Sequence, residues 1–164
     1  AGESFGIHTI PATATNARRI EAGLLFSGTD FDDSVNPFAV GLGAMVDLNK
    51  PDFIGKGALE RADQSRLTWG LECSGGIASR GETLSSNGKP AGRICSSAWS
   101  PYLQCGVAIA RLNDAAFQPG TELQVECGDG NVRTSKLCEL PMYDQAGEIP
   151  RGKCTDIPSI PSGS

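Results

Sequence analysis

Residues 94–112 have the sequence ICSSAWSPYLQCGVAIARL, in which two apolar runs flank a segment rich in Ser, Trp and Pro. Both runs are of strand length, and the residues between them favour turns. The stretch predicts a β-hairpin with residues 96–101 at its tip. Such a hairpin would bring Cys95 and Cys105 together, which makes them the thiols best suited to pair if any do.

The chain around this hairpin has a strand periodicity of two from about residue 65 onward. LTWGLEC (67–73) and TELQVEC (121–127) alternate apolar and polar side chains. Asn87-Gly88 is a strong hairpin-turn signal, and residues 128–131 (GDGN) predict another turn. Five or six such strands indicate a small antiparallel barrel or sandwich. The side chains expected to face inward are Leu67, Trp69, Leu71, Cys73, Leu123, Val125 and Cys127.

The first 60 residues have a different organisation. A helix is predicted over residues 13–23, with Thr13 as N-cap and Gly23 as its stop, and a second over residues 56–63. The acidic, Asn-Pro-containing stretch 24–38 is typical of a surface loop, and VGLGAMV (40–46) is expected to be extended. Residues 145–164, rich in Pro, Ser and Gly, are expected to be extended or disordered.

Apolar side chains in the first loop exceed what one short helix can cover, so a partner surface is expected there. The side chains concerned are Leu24, Leu25, Phe26 and Phe38. We therefore expect residues 1–60 to belong to a domain whose larger part lies outside this chain.

Composition narrows the possible partners and the compartment. The 164 residues carry a net charge of −5, which argues against nucleic acid and against an anionic membrane surface. The six cysteines lack the spacing of a zinc or thioredoxin-type motif, so we interpret them as reduced thiols of a cytoplasmic protein.

A few side chains have the chemistry for a site, each beside a simpler structural interpretation. His8 is the only imidazole, and we interpret it as an ordinary polar residue. Asp30, Asp32 and Asp33 could hold a cation, but a solvated acidic loop explains them better. The Arg18-Arg19 pair has the charge to hold a carboxylate, although an i,i+3 pair of Arg18 with Glu21 explains it more simply. Trp99 is suited either to stack on a flat ring or to fill the barrel.

Taken in order, four stretches resemble the glycine-cleavage T-protein family. RIEAGLLFSGTDFDDSVNPFAVGLG (19–43) is similar to its Arg-x-Glu-x-Gly, Gly-x-Asp and Gly-x-Gly segment. DFIGKGAL (52–59) resembles its Phe-Ile-Gly-Lys-x-Ala-Leu signature. GRICSSAWSPYLQCGVAIARL (92–112) and ELPMYD (139–144) resemble its Ser-Pro hairpin and its closing Pro-(Phe/Met)-Tyr.

The resemblance implies an α+β, mainly β fold: the family's C-terminal antiparallel barrel (61–144), preceded by a partial α/β remnant of the folate-binding domain (1–60) and followed by the tail (145–164). It implies tetrahydrofolate as cofactor, the absent N-terminal folate and catalytic domain as partner, and a small-molecule methyl donor. Arg19, Trp99 and Ser100 become the candidate cofactor-binding residues, with no catalytic residue and no metal ligand in this chain.

Two departures from the family pattern bear on the activity. Thr15 stands where the family's Ala-Arg-Asp stretch has Arg, and Ala44 stands where true T-proteins have Trp. The resemblance therefore favours the demethylase-like branch, similar to dimethylsulfoniopropionate demethylases, in a part that would be inactive alone. The alternatives are a non-catalytic folate-binding or regulatory module and the C-terminal module of a sarcosine or dimethylglycine dehydrogenase-type enzyme.

Overall fold

Six antiparallel strands close into a barrel in the order β1-β4-β3-β2-β5-β6, which confirms the predicted barrel. In the computed structural model, which describes residues 2–126 and 130–154, the strands are β1 (Thr68–Cys73), β2 (Thr83–Ser86), β3 (Lys89–Ser100), β4 (Cys105–Leu112), β5 (Glu122–Glu126) and β6 (Val132–Cys138). The helices are α1 (Ala12–Glu21) and α2 (Lys56–Arg61), with 3-10 turns at Glu3–Phe5 and Gly43–Met45. Within the described ranges, no helix has the length and apolar character needed to span a bilayer.

The period-two pattern correctly predicted most of the side chains that fill the barrel, but not Leu67, which precedes β1 and is only half-buried. Trp69, Leu71 and Cys73 of β1 are buried in the barrel core, as are Leu123 and Val125 of β5. Cys127 lies outside the described residues. Because β1 pairs with both β4 and β6, the sheet closes and its backbone groups are paired on both sides.

The two hairpins differ in how well they were predicted. Asn87 and Gly88 have φ angles of 51° and 74°, so the β2–β3 turn has the left-handed pair of residues that Asn-Gly favours. In the second hairpin the predicted tip is wrong. Strand β3 continues through Ser100, and the tip is the turn formed by residues 101–104.

The register also corrects the expectation that Cys95 and Cys105 could meet. Cys105 lies opposite Ser100, whereas Cys95 occupies an irregularity between Ile94 and Ser96, which pair with Ala110 and Ile109. The two thiols are separated by about 15 Å along the sheet, at roughly 3.3 Å per residue, which is beyond the reach of a disulfide. Both are free thiols.

The predicted helices are present with shifted ends. Helix α1 begins after Pro11, not at Thr13, and ends before Gly23, whose φ of 71° is the left-handed stop that was predicted. Helix α2 ends at Arg61 rather than at residue 63, because Asp63 instead accepts a hydrogen bond (2.9 Å) from the Ser65 N–H in a local turn.

The expectation of an extended VGLGAMV segment is wrong. Residues 40–46 form turns and a short 3-10 helix. Gly41 has a φ of 78°, which turns the chain. A Cβ on Gly43 would lie 2.9 Å from the Phe38 ring, so the glycine lets the backbone approach that ring closely.

Helix α1 packs on the outer face of the barrel, over β3 and β4. Ile20 forms a second buried apolar cluster with Cys95, Val107 and Ile109, and Leu140 packs against it. The helix is therefore fixed to the barrel by its own hydrophobic contacts.

The apolar side chains of the loop that follows α1 divide between exposed and packed positions. Leu24 and Phe26 are exposed, as expected for residues that lack a covering surface. Leu25, however, packs against the cluster under α1, and Phe38 is buried, so the expectation is wrong for these two.

Candidate functional site

A groove of about 660 Å³ runs between α1 and the outer face of β3. Its floor is the end of β3, and its walls come from α1 on one side and from the hairpin tip and Ile77 on the other. The lining side chains are Thr13, Ala14, Asn16, Ala17, Arg18, Ile77, Ser97, Ala98, Trp99, Pro101 and Tyr102. A mostly apolar concavity with a few polar groups is the usual form of a small-molecule site.

Trp99 supplies the largest flat surface in this groove. Its side chain is 40% exposed, whereas the barrel-core Trp69 is 6% exposed. The alternative in which Trp99 fills the barrel is therefore wrong. Opposite Trp99 lies Gly106, where a Cβ would meet the Gly76 carbonyl at 2.0 Å. That close approach lets the Gly76–Ile77 backbone cross the strand and bring Ile77 to the groove.

Arg18 lies where the groove meets a second cavity of about 380 Å³. Its guanidinium stacks over the Tyr102 ring at 4.4 Å and stands 5.6 Å from the centre of the Tyr143 ring. Its Nη1 donates to Glu21 Oε2 at 2.9 Å, so the i,i+3 pair predicted from the sequence is confirmed. Two aromatic rings and a carboxylate thus hold this cation in one orientation.

Glu21 is a buried carboxylate that joins three parts of the chain. Besides Arg18, it accepts hydrogen bonds from Ser100 Oγ (2.6 Å) and from the Tyr143 hydroxyl (3.1 Å). Its backbone carbonyl accepts from the Met142 N–H (2.7 Å). The end of α1, the hairpin and the segment after β6 are therefore fixed to one another at Glu21.

A second buried polar group lies on the other side of α1. Arg19 pairs with Asp30, and Asp30 also accepts from the Phe26 N–H (2.8 Å) and from Ser96 Oγ. The Arg111 guanidinium donates to the Asp30 carbonyl. The acidic loop is therefore not wholly solvated as predicted, because Asp30 is completely buried. The ion pair joins the loop to α1, and the hydrogen bonds from Ser96 and Arg111 tie it to β3 and β4.

The three candidate cofactor-binding residues lie in different positions. Trp99 lines the groove. Ser100 is buried behind it, where its Oγ donates to Glu21 and accepts from the Leu103 N–H (2.9 Å). Arg19 is buried as well, with Nε donating to Asn16 (3.0 Å). Cofactor contact stays a prediction for all three residues, and of the three only Trp99 lines the groove.

Sequence reasoning missed Tyr102, Tyr143 and the central place of Glu21. Tyr102 follows the Ser-Pro pair directly, and its ring is half-buried beneath the Arg18 guanidinium. Tyr143 and Glu21 are 122 positions apart, and no local pattern predicts such a contact.

Three of the cysteines, Cys95, Cys105 and Cys138, have the wrong electrostatics for a nucleophile. Burial is the main cause that raises the pKa of Cys95, and it raises the pKa of Cys105 to about 11 and that of Cys138 to about 12. Such thiols are protonated near neutral pH and react poorly. Among the residues that the structure describes, no group of three or more potential metal ligands is assembled.

Comparison with known proteins agrees with this architecture. Residues 66–144 match the family model described as the glycine cleavage T-protein C-terminal barrel domain. The chain is 34% identical over 158 residues to a trimethylamine-oxide aldolase of Ruegeria pomeroyi, covering 92% of this chain and 20% of that protein. It is 39% identical over 135 residues to an aminomethyltransferase of Synechococcus sp. WH7803, covering 79% of this chain and 36% of that protein.

A solved structure gives the same result. The glycine cleavage system aminomethyltransferase T from Bartonella henselae superposes with a TM-score of 0.69 at 26% identity, over 80% of this chain and 38% of that one. This chain belongs to the glycine-cleavage T-protein family through the C-terminal barrel domain of residues 66–144, and it is similar to aminomethyltransferases. It spans about a fifth to two fifths of the length of these relatives.

Proposed function

We propose that this chain is the C-terminal part of a cytoplasmic, tetrahydrofolate-dependent one-carbon transferase. In this proposal the barrel and α1 form one wall of the site where tetrahydrofolate accepts a methyl group from a sulfonium or amine donor. The observation that carries the proposal is the aromatic groove, built on a barrel of the T-protein type and open beside Trp99.

The groove fits the physical requirements of a folate. Its volume of about 660 Å³ lies within the range of roughly 300–1,000 Å³ that is usual for small-molecule sites. The exposed Trp99 ring offers a flat face on which a pterin or aminobenzoyl ring can stack. When bound, tetrahydrofolate supplies the nitrogen that accepts the one-carbon unit. The residues of this chain orient the cofactor and exclude water from one side of it.

The preference for a demethylase-like donor rests on how the relatives align. The relative named for trimethylamine oxide, an N-methylated amine oxide, aligns over 92% of this chain, whereas the Synechococcus aminomethyltransferase aligns over 79%. In addition, Thr15 and Ala44 stand where the T-protein pattern has Arg and Trp. These features support a donor other than the aminomethyl-carrying protein of glycine cleavage.

A folate and catalytic domain is the proposed partner for the exposed apolar surface. Phe5, Ile7 and Ile10 precede α1, and Leu24 and Phe26 follow it, and all five side chains are mostly exposed. Apolar side chains grouped on either side of one helix favour a covering domain. The greater length of the relatives supports a domain of the same polypeptide as the occupant.

The test is a product analysis with the natural polypeptide that contains this chain. It is incubated with tetrahydrofolate and either dimethylsulfoniopropionate or a methylated amine, and the folate products are separated. The proposal predicts 5-methyltetrahydrofolate. Accumulation of 5,10-methylenetetrahydrofolate from an aminomethyl donor would replace the demethylase assignment with the aminomethyl one. A flavin absorbance spectrum would favour the dehydrogenase-type alternative. Folate binding without turnover would favour the non-catalytic one.

A further inference from the structure

We propose that Arg18 is the recognition residue for a carboxylate-bearing tail on the ligand that occupies the groove. The inference rests on the proposed function and deepens it, because it assigns one end of the folate to one side chain. Trp99 would contact the flat part of the ligand, and Arg18 would contact the glutamate.

The guanidinium of Arg18 is held in place by its partners but keeps N–H donors that are not used in these contacts. Its hydrogen bond to Glu21 uses one of the five N–H donors that an arginine carries. The side chain is 47% exposed, so the remaining edge is open to solvent. By contrast, the neighbouring Arg19 is buried and bonds to Asn16, Leu24 and Asp30.

The fixed orientation favours binding of a planar anion. Tyr102 lies 4.4 Å below the guanidinium, and Glu21 fixes one edge of it. A pre-oriented guanidinium loses little side-chain entropy on binding and presents paired donors that match a carboxylate. The Glu21 charge is itself shared among three donors, since Ser100 and Tyr143 also bond to it, which reduces its repulsion of a second carboxylate.

Charge distribution singles out the same residue. Arg18 is the one cationic side chain among the described residues that line the groove, and also among those that line the second cavity. The rest of the groove is apolar, aromatic or neutral. An anionic group entering it therefore has a single side chain with which to form a charge-assisted pair.

The experiment crosses two ligands with three variants in the natural polypeptide. The ligands are 5-formyltetrahydrofolate and 5-formyltetrahydropteroate, which lacks the glutamate, and affinities are measured by calorimetry. For Arg18→Met we expect binding of the first ligand to weaken about 10- to 100-fold, the usual effect of losing a charge-assisted hydrogen bond. Binding of the second ligand should change by less than about 3-fold.

Two further variants serve as controls. Arg18→Lys keeps the charge without the planar fork and is expected to recover part of the lost affinity. Arg61→Met, on the exposed end of α2 and away from the groove, should change neither affinity. This variant therefore measures how much of any loss in affinity comes from removing a positive charge at a position outside the groove.

The two proposals fail in different ways. If the wild type binds both ligands and Arg18→Met weakens neither, or weakens both equally, the assignment of Arg18 is overturned and the folate site stands. If the wild type binds neither ligand, the folate site itself is overturned together with Arg18.

Discussion

Asp30 lies in an acidic loop whose composition resembles a cation site, but its carboxylate has a structural role. Its carboxylate accepts from Arg19, from Ser96 and from the Phe26 backbone, and no part of it is exposed. A buried charge of this kind is tolerated only while its partners are in place. Asp30 therefore fixes the loop after α1 to the helix through Arg19 and to the barrel through Ser96.

Replacing Asp30 by Asn should destabilise the fold strongly, because it leaves the buried Arg19 cation without an anion. We expect the free energy of unfolding to fall by about 3 kcal/mol or more. The matched control is Asp33→Asn, an exposed acid of the same loop, with a change within about 0.5 kcal/mol. Urea denaturation of all three proteins measures this. Equal stability of the two variants would show that the ion pair is not structural.

Tyr143 is expected to make stability depend on alkaline pH. Burial, and next the nearby Glu21 carboxylate, raise the pKa of Tyr143 from 10.0 to about 12. Between these values the unfolded chain has lost the proton that the folded chain keeps. The stabilisation is therefore complete below pH 10 and is lost as the pH rises toward 12.

The measurement is denaturant unfolding at several pH values between 9 and 12, alongside absorbance titration of the phenolate. The wild type should lose stability across this interval more steeply than Tyr143→Phe. The late phenolate transition should disappear in Tyr143→Phe and remain in Tyr102→Phe. Parallel stability curves for the wild type and Tyr143→Phe would contradict the raised pKa.

At the scale of elements, α1 and the β3–β4 hairpin form one unit through contacts that are distant in sequence. The strands were predictable because burial on one face imposes a period of two, as in Trp69, Leu71 and Cys73. The hairpin tip was misplaced because Ser96 and Ser100, which favour turns locally, are held in a strand by Asp30 and Glu21. Propensity is local, whereas those partners are not.

The end of α1 depends on a glycine at which a larger residue meets both backbone strain and a steric clash. Gly23 has a φ of 71°, and a Cβ there would lie 2.9 Å from the Leu140 Cβ. Gly28 has a similar φ of 77° with no atom within 4 Å of the same position. Gly28→Ala should therefore cost about 1–2 kcal/mol from backbone strain alone. Gly23→Ala should cost at least about 1 kcal/mol more. Thermal unfolding of both variants tests this, and equal losses would mean that Leu140 moves freely.

At the scale of the whole molecule, the closed barrel acts as a rigid support for one concave face. Its interior is apolar, while the polar networks of Glu21 and Asp30 lie outside, between the barrel and the preceding segment. The alternation of the strands predicted the barrel and its core. The groove was not predictable from spacing, because α1, the hairpin tip and Ile77 meet only after the barrel has closed.

The most direct test of the folate assignment is the dissociation constant of tetrahydrofolate for the natural polypeptide with and without the Trp99 ring. Trp99→Ala should weaken binding about tenfold or more, since stacking of a flat heterocycle on an aromatic side chain contributes about 1–3 kcal/mol. Trp69→Phe, in the barrel core, should leave the constant unchanged. An equal dissociation constant for Trp99→Ala and the wild type would contradict the account.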